Sequence, residues 1–465
     1  MNNKRESLGS RLGFILLSAG CAIGLGNVWG FPYKVGHNGG GAFVFVYIIC
    51  VLLLGVPIMT AEFAMGRASR RSPLNMSRAL LKNEKSPLHL QGWLSLAGNF
   101  FLMMFYTTIA GYFFHYLAGF VTGNIETLTW GNTISNTGVN VGCMILVVVL
   151  GFLILSFDIQ KGLEKVTKWM MLALFALMII LAVRSCTLGG FKEGISFYLK
   201  PDFSMITPSV IIAAMCQAFF SLSLGMGSMA IFGSYTDKSH SLLGEAVNVC
   251  ALDTLVALLA GFIIFPACFT FGIDPDAGPP LLFSTMVTVF QNMAGGRIWG
   301  SLFFIFMIFA AMSTVVAVFE NILAMIREAT GWSRRKGCVI CCLLLLVLCT
   351  PMALTGNVLA NVHPLGGESG FLDLWDFFVE TVIQPIGSVL FLLICTSDRL
   401  WGWDKFELEA NTGSGMKVRR WMRIFFKYIT PIIVFCLWIY GLVTYFVPDL
   451  PANVIHWIGS LFISK

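Results

Sequence analysis

Residues 20–32, Gly-Cys-Ala-Ile-Gly-Leu-Gly-Asn-Val-Trp-Gly-Phe-Pro, lie inside an apolar segment long enough to cross a bilayer, yet they are poorly suited to a continuous helix. Four glycines (Gly20, Gly24, Gly26, Gly30) and Pro32 fall within thirteen positions, and each weakens an α-helix relative to alanine. In lipid, a backbone N–H or C=O without a partner is costly, so a break needs groups that replace the lost hydrogen bonds. The usual solution is a protein-lined cavity that holds a ligand or an ion. The stretch is therefore the first candidate binding site.

The rest of the chain agrees with a bilayer setting. Hydrophobic residues make up 57% of 465 and charged residues 12%, about half the charge of a soluble globule. Apolar runs of about 20 residues, enough to cross about 30 Å of hydrocarbon, predict eleven spans. They lie near 12–35, 41–65, 92–122, 140–157, 165–187, 206–234, 243–272, 299–326, 337–355, 374–396 and 425–447. Positive charge orients them. With the N-terminus in the cytoplasm, 24 of the 30 Lys and Arg lie inside, and Lys34, Arg184, Lys192, Lys200, Arg297 and Lys465 lie outside. The expectation is a multi-pass protein of the cell's inner (plasma) membrane, N-terminus cytoplasmic and C-terminus outside. The net charge of +6 follows from that topology and gives no reason to invoke nucleic acid. The thirteen cysteines fall almost wholly in apolar spans, where Cys behaves as a small hydrophobe. Cys338-Val-Ile-Cys341-Cys342 has no metal-binding partners beside it. The long, Gly-broken first segment does not read as a cleavable signal peptide.

Residues 1–11 read as a cytoplasmic N-terminal segment, 12–187 as a first five-helix repeat and 206–396 as a second, inverted one. Residues 425–447 then form the eleventh helix and 448–465 a short tail on the outer side, while an outer loop at 273–298 carries a short amphipathic helix from Leu281 to Met293. The sixth span holds a second glycine-broken stretch, Ser221-Leu-Ser-Leu-Gly225-Met-Gly227-Ser. It falls five spans after the first, an odd offset that inverts topology. Broken helices at corresponding positions of two halves point to an inverted-repeat transporter with its site at the membrane midplane.

These residues also carry a family signature. Arg11-Leu-Gly13, Ala19-Gly20, Ala22-Ile-Gly-Leu-Gly-Asn27, Phe31-Pro32 and Asn38-Gly-Gly-Gly-Ala-Phe43 resemble the first-helix signature of the neurotransmitter:sodium symporter family. Glu62 with Ala64-Met-Gly-Arg67, the stretch Phe219 to Gly227, and Tyr428-Ile-Thr-Pro431 extend the resemblance across all eleven spans. It implies an all-α membrane protein with the LeuT fold, a 5+5 inverted repeat with unwound helices 1 and 6 plus an eleventh helix. It also implies two Na+ ions as coupling ions. One would be held by the Ala22 carbonyl, Asn27, Ser221 and a polar residue of span seven, here Asp253. The other would be held by the carbonyls of Gly20, Ile23 and Ala310 with the hydroxyls of Ser313 and Thr314. Oxygen ligands suit a hard cation. The substrate carboxylate is expected at the N–H groups of Leu25 and Gly26, at a half-helix start where the dipole favours anions, with the Tyr106 hydroxyl donating. The amine is expected at carbonyls near Ala22, Phe220 and Thr314. Amine-carrying members have Asp where this chain has Gly24, so the implied small-molecule substrate is an amino acid.

Several positions depart from the family pattern. Asp253 stands where Asn is common. A carboxylate at midplane costs at least about 2.5–3.5 kcal/mol, so it is read as a sodium ligand that also replaces the charge of chloride. Gly30 stands where most members carry an Arg that pairs with an acid on span ten. That pair cannot form from Gly30, so Asp373, Asp376 and Glu380 are assigned no gate role, and closure falls to Phe220 stacking over Tyr106. Arg5 is expected to form an inner gate with Glu328. Leu172 replaces the Pro that usually follows Gly162 by ten residues, which argues against easy unwinding of span five.

The side-chain pocket is expected to include Leu102, Tyr106, Phe220, Ser223, Met226 and Val318. It holds no charge, which disfavours ionic substrates, and Met226 is an adaptable filler. The reading is sodium-coupled, chloride-independent import of a hydrophobic L-amino acid, aromatic ones included. An amino-acid sensor or receptor with a transporter-like fold, and a symporter for small neutral amino acids, stay open. No nucleophile–base or metal constellation points to an enzyme.

Overall fold

The computed structural model describes residues 8–83, 85–157, 160–274, 282–367 and 369–446. The described residues are helical throughout apart from turns and one isolated bridge, His240 to Ser414. Eight of their helices are long and apolar enough to cross a membrane, and the bent pair Arg11–Ala22 and Gly26–His37 makes a ninth. The two remaining predicted spans are built from shorter pieces. Span six is Pro208–Ser221 and Ser228–Tyr235, and span nine is Arg334–Leu348 followed by the turn Thr350–Ala353. Pro351 sits in the first turn of that last piece, where a missing N–H does least harm.

Burial sorts the spans into a centre and a rim. The apolar windows of Gly41–Ser69, Pro87–Thr122 and Gly296–Thr330 are 72%, 72% and 83% buried, against 39% for Thr137–Leu155 and Gly162–Cys186 and 17% for Met422–Val443. Leu153, Ile179, Val183, Ile432 and Phe435 are exposed on the rim spans. Such surface is unsuited to water but natural in contact with lipid tails. Span one lies at the centre, with Leu17, Ala19, Cys21 and Ile23 wholly buried.

The start of span one is pinned to two neighbours. Ser10 caps it by accepting from Gly13 N at 2.9 Å, and Glu164 accepts from Gly9 N at 2.8 Å and Ser10 Oγ at 3.0 Å. Arg11 pairs with Glu245 of span seven at 2.9 Å. Arg67, at the end of span two, is fully buried and pairs with Glu409 of the helix Trp403–Asn411 at 2.7 Å. The short helix predicted between spans seven and eight is Thr285–Asn292. Span five runs unbroken through Leu172 in Lys165–Cys186. The expected tail at 448–465 lies outside the described residues.

Candidate functional site

The first half-helix ends at Ala22, and Ile23 turns to an extended backbone (ψ 101°) while its N–H still donates to Ala19 O. The chain restarts as a helix at Gly26, bent by 51°. Neighbouring side chains come right up to this backbone. A Cβ on Gly24 would overlap the hydroxyls of Tyr106 and Thr314, and one on Gly26 would lie 3.0 Å from the Phe220 ring and 3.1 Å from Ser221 Cα. The break's N–H groups meet side-chain oxygens, as a break in lipid requires. Leu25 N donates to the Tyr106 hydroxyl at 2.9 Å and Gly24 N to Asn27 Oδ1 at 3.1 Å.

Span six is broken over residues 222–227, where Ser223, Gly225 and Gly227 take positive φ of 52°, 79° and 70°. Ser223 Oγ donates to Cys21 O at 3.2 Å, one of the carbonyls freed at the end of the first half-helix. Gly225 N donates to Glu62 Oε1 at 2.6 Å, and Met226 O accepts from Asn99 Nδ2 at 3.0 Å. Gln217 Nε2 donates to Gly26 O at 2.7 Å and so ties the two breaks together.

Two oxygen clusters flank the first break. In one, Thr314 Oγ1 lies 3.2 Å from Gly20 O and 3.1 Å from Ile23 O, and Ser313 Oγ lies 3.4 Å from Ile23 O and 2.9 Å from Ala310 O. All five residues expected there are brought together and are buried. The set offers only neutral oxygens, three of them carbonyls, and Gly20 and Ile23 sit at the negative end of a helix dipole. In the other cluster, Asp253 is wholly buried and takes bonds from Asn27 Nδ2 (2.8 Å), Ser221 Oγ (3.0 Å) and the Tyr47 hydroxyl (3.3 Å). Tyr47 is also 3.1 Å from Ser221 Oγ. Ala22 ends the half-helix, so its carbonyl is among those without an intrahelical donor. Tyr47 was not anticipated, although a lone phenol within the apolar run Ala42 to Leu54 requires a buried partner.

The expected substrate pocket divides into helix faces. Leu102 precedes Tyr106 by one turn on span three, and Val318 follows Thr314 by one turn on span eight, so each apolar residue shares a face with a polar one at the break. All four are buried. Met226 packs against Gly98, one more turn along span three, 3.2 Å from where its Cβ would be. Phe220 is half-buried and lies over Gly26. It makes no ring contact with Tyr106 among the described residues, so the expected stacking is replaced by packing on the glycine.

Two gate expectations meet different outcomes. The acids of span ten do have a basic partner on the first span. Lys34 Nζ lies 3.1 Å from Glu380 Oε2, a contact the sequence reading did not anticipate. The longer Lys side chain one turn on supplies the reach that Gly30 lacks. Asp373 instead accepts from Gly370 N at 2.7 Å at its own helix start. Glu328 accepts from Ser72 N at 2.7 Å and Asn75 Nδ2 at 3.1 Å, and Arg5 lies outside the described residues.

Residues 5–137 and 120–460 match the sodium:neurotransmitter symporter family. The chain is 34% identical over 391 residues to an uncharacterized sodium-dependent transporter of Bacillus subtilis (strain 168), covering 83% of this chain and 86% of that one. It is 32% identical over 460 residues to an uncharacterized sodium-dependent transporter of Haemophilus influenzae, covering 95% and 99%. Its structure resembles the crystal structure of MhsT in complex with L-phenylalanine, with a TM-score of 0.86 and 34% identity over 94% of this chain and 99% of the other. The LeuT fold that the family resemblance implied is the fold observed.

Proposed function

Because the chain belongs to the sodium:neurotransmitter symporter family and is a sodium-dependent transporter, not an enzyme, we propose that it imports a hydrophobic L-amino acid, aromatic ones included, with two sodium ions and without chloride. The broken first span carries this reading. At one point in the membrane it combines the N–H groups at the start of a half-helix, at Leu25 and Gly26, the first of them paired with the Tyr106 hydroxyl, a setting suited to a carboxylate, with two oxygen clusters suited to hard cations. Gly24 leaves no room for an acidic side chain, so the substrate brings its own carboxylate. The faces carrying Leu102, Met226 and Val318 offer no partner to an ionic side chain, and the MhsT structure that this chain resembles contains L-phenylalanine. Asp253 supplies a fixed negative charge beside Asn27 and Ser221, the role a chloride would otherwise fill. The excess of Lys and Arg on one side supports a cytoplasmic N-terminus and an outer C-terminus in the plasma membrane. Alternating access follows from rocking the bundle that contains the broken spans against the remaining helices, with residues 12–187 and 206–396 as the two inverted halves.

Purified protein in proteoliposomes with an inward sodium gradient tests the proposal. Labelled L-phenylalanine is expected to accumulate when gluconate replaces chloride and to stop accumulating when choline replaces sodium. Sodium-dependent binding without uptake would favour a sensor. A chloride requirement would overturn the role given to Asp253, and uptake of glycine or alanine alone would overturn the pocket argument.

A further inference from the structure

Far from the broken spans, the loop between spans two and three and the segment after span ten enclose a second cavity. Its volume is about 390 Å³, within the range of small-molecule sites. Lys82, Asn83 and Ser86 contribute to its lining, together with the run Asp398 to Lys405. It lies on the side of the membrane that carries most of the Lys and Arg.

The charges of this lining are unbalanced. Asp398 is already met by Arg423, at 3.0 Å to each carboxylate oxygen, and by Lys427 at 3.4 Å. Among the described residues, Lys82, Arg399 and Lys405 have neither an ion pair nor a side-chain hydrogen bond, and Asp404 is the one other acid in the lining. Backbone donors add to the excess. The helix Trp403–Asn411 starts within the lining, behind Gly402, which has no side chain to cap it. The N–H groups of Trp403, Asp404 and Lys405 therefore lack the acceptor that a capped helix would supply. Free cations and N–H donors converging on one cavity suit a phosphate ester.

The neighbourhood selects the kind of ester. Arg423 and Lys427 stand on the first turns of the helix Met422–Val443. Phe426 packs on Trp403 and Phe406, with ring centroids 5.9 and 5.4 Å apart, so the start of the eleventh span adjoins the cavity. Trp421, Ile424 and Tyr428 on the same turns are exposed, at a spacing that puts them on one face. Only 17% of that helix's apolar window is buried, so this face meets lipid tails. A soluble phosphate would use the cavity alone, whereas a phospholipid uses both the cavity and the apolar face beside it.

We infer that this cavity binds the phosphate headgroup of an anionic phospholipid, whose acyl chains lie along the start of the eleventh span. The inference does not depend on which substrate is transported. Each Lys or Arg beside a membrane span strengthens the attraction to anionic lipid, and a walled cavity adds a selectivity that scattered surface charge lacks. Glu409 of the same helix holds Arg67 of span two at 2.7 Å and Lys238 of the loop after span six at 3.1 Å. A lipid seated at the start of this helix thus rests on an element that joins span two to that loop.

Native mass spectrometry of the full-length protein in detergent, with added dioleoylphosphatidylglycerol or dioleoylphosphatidylcholine, tests the inference. The anionic lipid is expected to bind at least about tenfold more tightly. Lys82→Gln/Arg399→Gln/Lys405→Gln is expected to abolish that preference. Lys165→Gln/Arg335→Gln/Lys336→Gln, which removes the same charge from other exposed positions, is expected to retain it. The charge-preserving variant Lys82→Arg/Arg399→Lys/Lys405→Arg is also expected to retain it, which separates loss of the site from loss of the fold. Equal affinity of the wild-type protein for the two lipids, or equal weakening by the two neutralised triples, overturns the inference. Displacement of the lipid by an equal concentration of glycerol 1-phosphate also overturns it, because the occupant would then be a soluble phosphate ester.

Discussion

Gly24 shows how one missing side chain lets neighbouring hydroxyls close on a backbone. Its α-carbon faces the hydroxyls of Tyr106 and Thr314, both of which a Cβ would overlap. Tyr106 is 2% exposed and its hydroxyl holds the Leu25 N–H at 2.9 Å, so the ring has nowhere to retreat without releasing that bond. Overpacking of this kind costs about 1–3 kcal/mol. Gly24→Ala is therefore expected to weaken sodium-dependent L-phenylalanine binding about tenfold or more, read by equilibrium binding at saturating sodium. An unchanged affinity would mean that Tyr106 moves freely and does not order the carboxylate subsite. The break at Gly24 was legible because a glycine within a membrane span already asks for a reason. Lys34 was not: Glu380 is 346 residues away, and one-dimensional spacing carries no information about such a pair. Tyr47 lay between these cases, visible as a phenol among apolar residues but without an indicated partner.

Among the elements, span six departs furthest from its sequence appearance. Hydropathy reads 206–234 as one crossing, yet the chain forms two helices joined by six residues with three positive φ angles. The glycines marked the break, but the reason for its position lies in span ten. A Cβ on Gly225 would overlap the carbonyl of Gln384, so the two backbones are in direct contact there. Gly331 provides a comparison. It has a similar φ of +71° after the helix Gly296–Thr330, but nothing lies within 4 Å of its Cβ position. Gly331→Ala carries only the left-handed penalty, about 1–2 kcal/mol, while Gly225→Ala adds a backbone collision that cannot be relieved by a rotamer change. The midpoint of thermal unfolding in detergent is expected to fall at least about twice as far for Gly225→Ala as for Gly331→Ala. Equal shifts would show that span ten yields to the added methyl, and that the close packing of spans six and ten is soft. Span nine makes the same point in milder form, because Pro351 shortens a run that hydropathy alone reads as continuous.

For the whole molecule, the two oxygen clusters set how much work the proposed cycle can do. One is neutral, built from Gly20, Ile23, Ala310, Ser313 and Thr314, and the other contains the buried carboxylate of Asp253. If each holds one sodium ion while the amino acid travels as a zwitterion, two charges move inward per cycle. A potential of 100 mV then contributes about 4.6 kcal/mol, on the order of a thousandfold accumulation. Asp253 stays fixed in the protein, so its charge does not reduce the charge moved. The overall architecture was legible because lipid imposes one rule on every backbone group, which turns apolar length and glycine placement into topology. Ion number is a different kind of quantity, since two clusters beside one break can share a single ion or hold one each. The ratio of charge moved to labelled L-phenylalanine taken up, measured in proteoliposomes at a fixed potential, separates the two. A ratio near two is expected. A ratio near one would assign coupling to a single cluster, and Ser313→Ala/Thr314→Val would then identify which one, by removing the hydroxyls of the neutral set while leaving Asp253 and its three partners in place.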